Sequence, residues 1–137
     1  MKWIIAVLIC IAVAGGIFFW YTPAKSPDAI PNDLIRVDMP AANSIVTSPL
    51  SITGAARGRW YFEASFPITL LDANRVEIVQ SHAEAQSNWM TEDFVPFIAT
   101  IEFAAPATDT GFLVLHKDNP SGLPEHDASV EIPVRFK

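Results

Sequence analysis

Along most of the chain, apolar and polar residues alternate with a period of two, which is the signature of strands that bury one face and wet the other. Ile35, Val37 and Met39 stand against Arg36 and Asp38, and Leu50 and Ile52 stand against Ser51 and Thr53. The longest register sets Trp60, Phe62, Ala64, Phe66, Ile68 and Leu70 against Tyr61, Glu63, Ser65, Pro67 and Thr69. It predicts one long half-buried strand over 60–70. Phe97, Ala99, Ile101 and Phe103 form another such set, and Val130, Ile132, Val134 and Phe136 the last. Phe112 to Leu115 is apolar on both faces, as a central strand requires, and a weaker strand is predicted from Arg75 to about Gln80.

Turn formers separate these runs: Asp72-Ala-Asn74, Ala105-Pro106 with Asp109-Thr-Gly111, and Asp118-Asn-Pro-Ser-Gly122. About seven short strands at this spacing predict an all-β sandwich. Pro133 has no N–H for a ladder, so the last strand belongs at an edge or carries a bulge, and Pro67 marks a similar interruption. Ser81 to Asp93 lacks β-branched residues apart from Thr91 and reads as a loop with room for one helical turn.

The N-terminus follows a different rule. Trp3 to Tyr21 is nineteen residues without a charge, which as a helix spans roughly 28 Å against a hydrocarbon core of about 30 Å. Trp3, Trp20 and Tyr21 sit at its ends, where amphipathic rings favour the interface, and Lys2 precedes it. The expectation is one uncleaved transmembrane signal anchor over 1–21, N-terminus inside, followed by a Pro-rich linker over 22–34 and a folded domain over 35–137. Cleavage after Ala12-Val-Ala14 would leave Gly15 to Tyr21 as an apolar stub. Cys10 follows Ile9 in mid-run, where a lipidation site would need a small residue before the cysteine. The domain is expected on the extracytoplasmic side of the cytoplasmic membrane.

Cys10 is the only cysteine, so no disulfide is available to the domain, and about a hundred residues suffice for a single core without one. From Asp33 onward there are 14 acidic residues against 7 basic ones. That balance argues against a nucleic-acid partner, since Arg57 and Arg59 alone make too small a patch for a phosphate backbone.

Asp118, Asn119, Glu125 and Asp127 could offer calcium four oxygen ligands from one loop, but their spacing fits no EF-hand loop, and the same residue types cap turns. His82, His116 and His126 are too scattered for a zinc motif. Ser65 and Ser121 lack a neighbouring base, and Glu92 with Asp93 reads as a solvated turn. Neither catalysis nor a cofactor is expected. Trp89 and Met90 stand out as large apolar residues in a polar stretch. Either they anchor a partner, or Trp89 folds back to plug one end of the sandwich.

Several strings, Trp60-Tyr-Phe-Glu-Ala-Ser-Phe-Pro67, Trp89-Met-Thr-Glu92 with Phe94-Val-Pro-Phe97, Asp118-Asn-Pro-Ser-Gly122 and Val130-Glu-Ile-Pro-Val-Arg-Phe136, together resemble the immunoglobulin-like domain of bacterial spore germination, the Gmad family. The resemblance covers about Ile35 to Phe136. It implies an extracytoplasmic immunoglobulin-like module of a bacterial envelope, with no catalytic residues to transfer. The Cys pair and tyrosine corner of antibody-type domains are missing. The function expected is binding or scaffolding of an envelope protein or cell-wall polymer through loops or a sheet edge. The alternative is an accessory subunit of an envelope complex whose span packs on other helices through Gly15 and Gly16.

Overall fold

Residues 33–137 are described by the computed structural model, and every regular element longer than one turn among them is a strand. The predicted span and nearly all of the linker lie outside the described residues, among which no helix is long and apolar enough to cross a membrane. The strands are β1 (Ile35–Met39), β2 (Leu50–Arg57), β3 (Ser65–Asp72), β4 (Glu77–Ala85), β5 (Phe94–Ile101), β6 (Thr110–His116) and β7 (Ser129–Arg135). Single 3-10 turns occupy Gly58–Trp60 and Pro124–His126.

All neighbouring strands are antiparallel, in the order β1-β2-β5-β4-β3-β6-β7. The ladders are uneven. β2 and β5 share eight paired positions, whereas β4 and β5 share only Glu84↔Ile98 and Ala85↔Phe97. At that slender seam the sheet folds over on itself. Phe66 of β3 and Phe97 of β5, on strands that are not neighbours, pack edge to face with centroids 5.0 Å apart. On the opposite side the chain after β1 crosses to the far edge: Ile45 bridges Arg135 in parallel, Val46 N donates to the Arg135 carbonyl (2.8 Å), and Arg135 N donates to Ser44 (2.9 Å). The sheet therefore nearly closes, consistent with an immunoglobulin-like sandwich.

Burial follows the pleat. Val95, Phe97, Ala99 and Ile101 of β5, Phe66, Ile68 and Leu70 of β3, and Val130, Ile132 and Val134 of β7 all point into one core. β6 is an interior strand, flanked by β3 and β7, with Leu113, Val114 and Leu115 buried in succession. β7 is terminal in the sheet, which suits Pro133: its carbonyl accepts from Asn43 N (2.7 Å) on the outer side, so the missing N–H also faces away from β6.

Three expectations need correction. The strand predicted over 60–70 is broken, because Gly58–Trp60 is a 3-10 turn and Glu63 and Ala64 have φ of 50° and 63°, so β3 begins only at Ser65. Trp60 and Tyr61 are both buried, which no pleated strand with one wet face allows, and Phe62 is turned outward. Ser81 to Asp93 is not all loop, since β4 runs on to Ala85 and buries Ala83 against Phe66. Phe103 lies beyond β5, held by a bond from its N–H to Ser48 Oγ (3.0 Å).

These registers sort the connections into two groups. The chain entry at Asp33 and loops 58–64, 86–93 and 117–128 collect at one end. Loops 40–49, 73–76 and 102–109, with the C-terminus, collect at the other.

Candidate functional site

The end where the chain enters is built around Gly58. After β2, the 3-10 turn drives Trp60 into the core, edge-on to Phe66 with centroids 6.4 Å apart. The Tyr61 hydroxyl donates to the Val95 carbonyl at 2.6 Å. Burial, opposed by the backbone of Ala56, holds that phenol well above its ordinary range. Phe62 and Ser65 then exchange two backbone bonds (2.9 and 3.2 Å), and the tight turn leaves Phe62 42 % exposed.

Loop 86–93 lies directly on this turn. Gly58 N donates to the Asp93 carbonyl (3.2 Å), and a Cβ at Gly58 would run into the carbonyl oxygens of Trp89 and Thr91. Only glycine permits that approach. Trp89 consequently sits half-buried, packed on the core from one side and edge-on to Phe62 from the other, with centroids 6.5 Å apart. Met90 beside it is 74 % exposed. Arg59, Tyr61, Trp89, Met90, Thr91 and Glu92 line an open hollow of about 390 Å³.

A second, polar recess of about 450 Å³ adjoins it, lined by Asp33, Arg57, Arg59, Glu92 and Asp93. Arg57 ties this end together. Its guanidinium lies 4.0 Å above the Phe94 ring, Nε donates to the Asp33 carbonyl (3.1 Å), and Nη1 donates to the Glu92 carbonyl (3.4 Å). Arg36 covers the same ring at 4.9 Å. The entry point of the chain is thus hydrogen-bonded, through one side chain, to the loop that carries Trp89.

Asp118, Asn119, Glu125 and Asp127 share the third loop at this end, where Asn119 and Asp127 bond to each other. Asn119 Nδ2 donates to Asp127 Oδ1 (2.6 Å) and to the Leu123 carbonyl (2.8 Å), while Ser121 Oγ donates to Asn119 Oδ1 (2.5 Å). Asp118 is fixed through its backbone N–H to the Trp60 carbonyl (3.0 Å), and Glu125 is exposed in the 3-10 turn. The Asn119, Ser121 and Asp127 side chains serve the turn. Among the described residues no three His, Cys, Asp or Glu side chains converge on a common point. Glu92 and Asp93 lie in a turn in which Asp93 N donates to Thr91 Oγ1 (3.2 Å).

The strongest electrostatic cluster lies on the β3-β6-β7 face. Arg75 makes a two-pronged pair with Glu131 (2.8 and 2.9 Å) and covers the Phe112 ring at 4.7 Å. The hydrogen bond and charge of Arg75 hold Glu131 below the usual carboxylate range. His116, 3.3 Å from Thr69 Oγ1, is pushed below its ordinary value by burial, with Glu131 and Asp127 pulling the other way. His82 lies exposed on β4 and His126 in the second 3-10 turn, so the three histidines stand apart. Two features escaped sequence reasoning: Phe62, placed inward by its parity, and the stack of Arg57 on Phe94. The adjacent aromatics Trp60-Tyr61-Phe62 were the available signal for the first, since a strand has no place for three in a row on one face.

Comparison with known families matches residues 34–123 to the immunoglobulin-like domain of bacterial spore germination. No curated protein and no solved structure matches the chain.

Proposed function

The chain belongs to the family of immunoglobulin-like domains of bacterial spore germination, and on that premise we propose that it is a non-catalytic binding module of the bacterial cell envelope. In this reading the apolar run Trp3 to Tyr21 crosses the cytoplasmic membrane and the Pro-rich linker holds the domain on the outer side. The observation that carries the binding role is the exposure of Phe62 and Met90 beside half-buried Trp89, on loops fixed to a rigid sandwich. A half-buried indole beside an exposed methionine is the composition of an interface anchor. The Asn119 and Asp127 side chains in the neighbouring loop are bonded within their own turn, while Glu63 and Glu92 beside the cluster are exposed.

The test has two arms. Full-length protein in spheroplasts should resist alkaline extraction while its domain is digested by added protease; release by alkali, or protection from protease, would sink the topology. Amine-reactive crosslinking in the same membranes should give discrete adducts that vanish in the double variant Phe62→Ser/Met90→Ser. Adducts that persist in that folded variant would move the contact elsewhere. Exchanging Trp3 to Tyr21 for an unrelated span separates the tether from the accessory-subunit alternative, in which Gly15 and Gly16 pack on neighbouring helices: a tether keeps its adducts.

A further inference from the structure

We infer that the partner taken up by Phe62, Trp89 and Met90 is the outer face of an integral membrane protein, presenting an apolar side chain flanked by Lys or Arg. The inference rests on the tethered reading above and adds the chemistry of the partner to it.

The first argument is position. The 32 residues that precede the described chain join it at Asp33, and Asp33 is stapled by Arg57 to the loop bearing Trp89. A chain anchored through its N-terminus therefore presents this end, and not the Phe103–Phe136 end, towards the bilayer. The eleven residues Thr22 to Asn32 reach roughly 35 Å when extended. That reach bounds Asp33, and the loop stapled to it through Arg57 stays close to the same limit, near the outer faces of membrane proteins.

The second argument is charge. Asp33 with residues 57–64, 86–93 and 117–128 carry seven carboxylates against three cations, Arg57, Arg59 and Lys117. Arg57 is engaged with Phe94 and two carbonyls, and Lys117 Nζ with the carbonyls of Asp118 and His126 (3.4 and 3.3 Å). Exposed Glu63 and Glu92 flank the apolar cluster itself. Such a rim repels an anionic lipid surface and attracts a basic protein one. The hollow beside Met90, about 390 Å³ and open, accommodates a single large apolar side chain, which is how a central anchor ringed by charge is received.

The test places a benzoylphenylalanine photocrosslinker at Met90 of the full chain in native membranes and sequences the adduct. The expected adduct is an extracytoplasmic segment of an integral membrane protein with Lys or Arg beside the attachment point. Its yield should fall about three- to tenfold in Glu63→Lys/Glu92→Lys and in 0.5 M salt, the scale of two lost exposed ion pairs. Glu63→Gln/Glu92→Gln, with melting checked, should give a smaller drop. Adducts confined to lipid, to a second copy or to a soluble protein, or no adduct at all, would overturn the assignment, as would a yield indifferent to charge reversal. Labelling of Met90→Cys, in a Cys10→Ser chain, by a membrane-impermeant maleimide on spheroplasts keeps the two readings apart. No labelling before lysis defeats the tethered reading itself; labelling without a basic adduct defeats only the partner assignment.

Discussion

The two ends of the sandwich use aromatic residues in opposite ways. At the C-terminal end Phe103 and Phe136 meet edge to face, 6.0 Å apart, and both are packed against the core, beside a hollow of about 280 Å³ lined by Val46, Ala105 and Pro106. There the rings close the fold. At the entry end Trp60, Tyr61, Phe66 and Phe97 already close it, so Phe62 and Met90 stand outside a finished core and Trp89 straddles the boundary. Apolar surface that folding does not need is surface available for recognition. The rings at the C-terminal end are thus half-buried on the core around that hollow, whereas at the entry end Phe62 is left mostly outside it because other rings have already filled the core beneath.

The comparison fails first if the entry end is not closed by its own core. Phe66→Ala should cost about 3–5 kcal/mol, because the ring touches Trp60, Tyr61 and Phe97 at once; a urea midpoint close to that of the parent would show the core lies elsewhere. Gly58→Ala should cost about 1–3 kcal/mol by pushing the carbonyls of Trp89 and Thr91 away, with a shift in Trp89 emission. Phe136→Ala at the opposite end should cost about 1–3 kcal/mol, reduced from a full core deletion because the ring is only half-buried. Met90→Ser should change stability by less than about 0.5 kcal/mol. Equal losses in these last two variants would erase the distinction between the ends.

The smallest effect is a dependence on pH. Burial lowers the His116 value in the folded chain, so below about pH 6.5, the ordinary histidine value, the unfolded chain binds the extra proton. Stability should be full above that pH and should erode as the pH falls through it towards the folded-state value. Glu131, held low by Arg75, adds a contribution present above the usual carboxylate value and lost as the pH falls through its folded one. Urea midpoints measured between pH 7.5 and 5.5 should fall, and His116→Gln should flatten that slope.

The sequence carried the fold where burial is one-sided and failed where backbone turns leave the parity intact. In β5 and β7 every second residue is buried and the alternation was read directly. Between Trp60 and Leu70 the alternation is just as regular, yet the positive φ of Glu63 and Ala64 inserts a turn that composition does not announce. The end of β4 was missed for the opposite reason. Only Ala83 there is buried, so polar residues surround a genuine strand. At the candidate site, Trp89 and Met90 were visible as large apolar residues in polar company. Sequence left Trp89 between plug and anchor, and the structure places it half-buried, packed on the core from one side and on Phe62 from the other. Phe62 and the Arg57 staple depend on contacts between distant segments and had no local signature.

Asp33 and Lys137, the first and last described residues, lie at opposite ends of the sandwich, and this has a mechanical consequence. β1 and β7 both run from the entry end to the other, so a pull between a membrane attachment and a load on Lys137 would drag each edge strand lengthwise along its neighbour. The ladder bonds of an antiparallel pair lie across the strands, and under such a pull they are sheared together instead of parting one at a time. The bonds from residues 43–46 to β7 add a clasp between the two loaded strands. A domain drawn on in this direction yields only at forces that break many bonds at once.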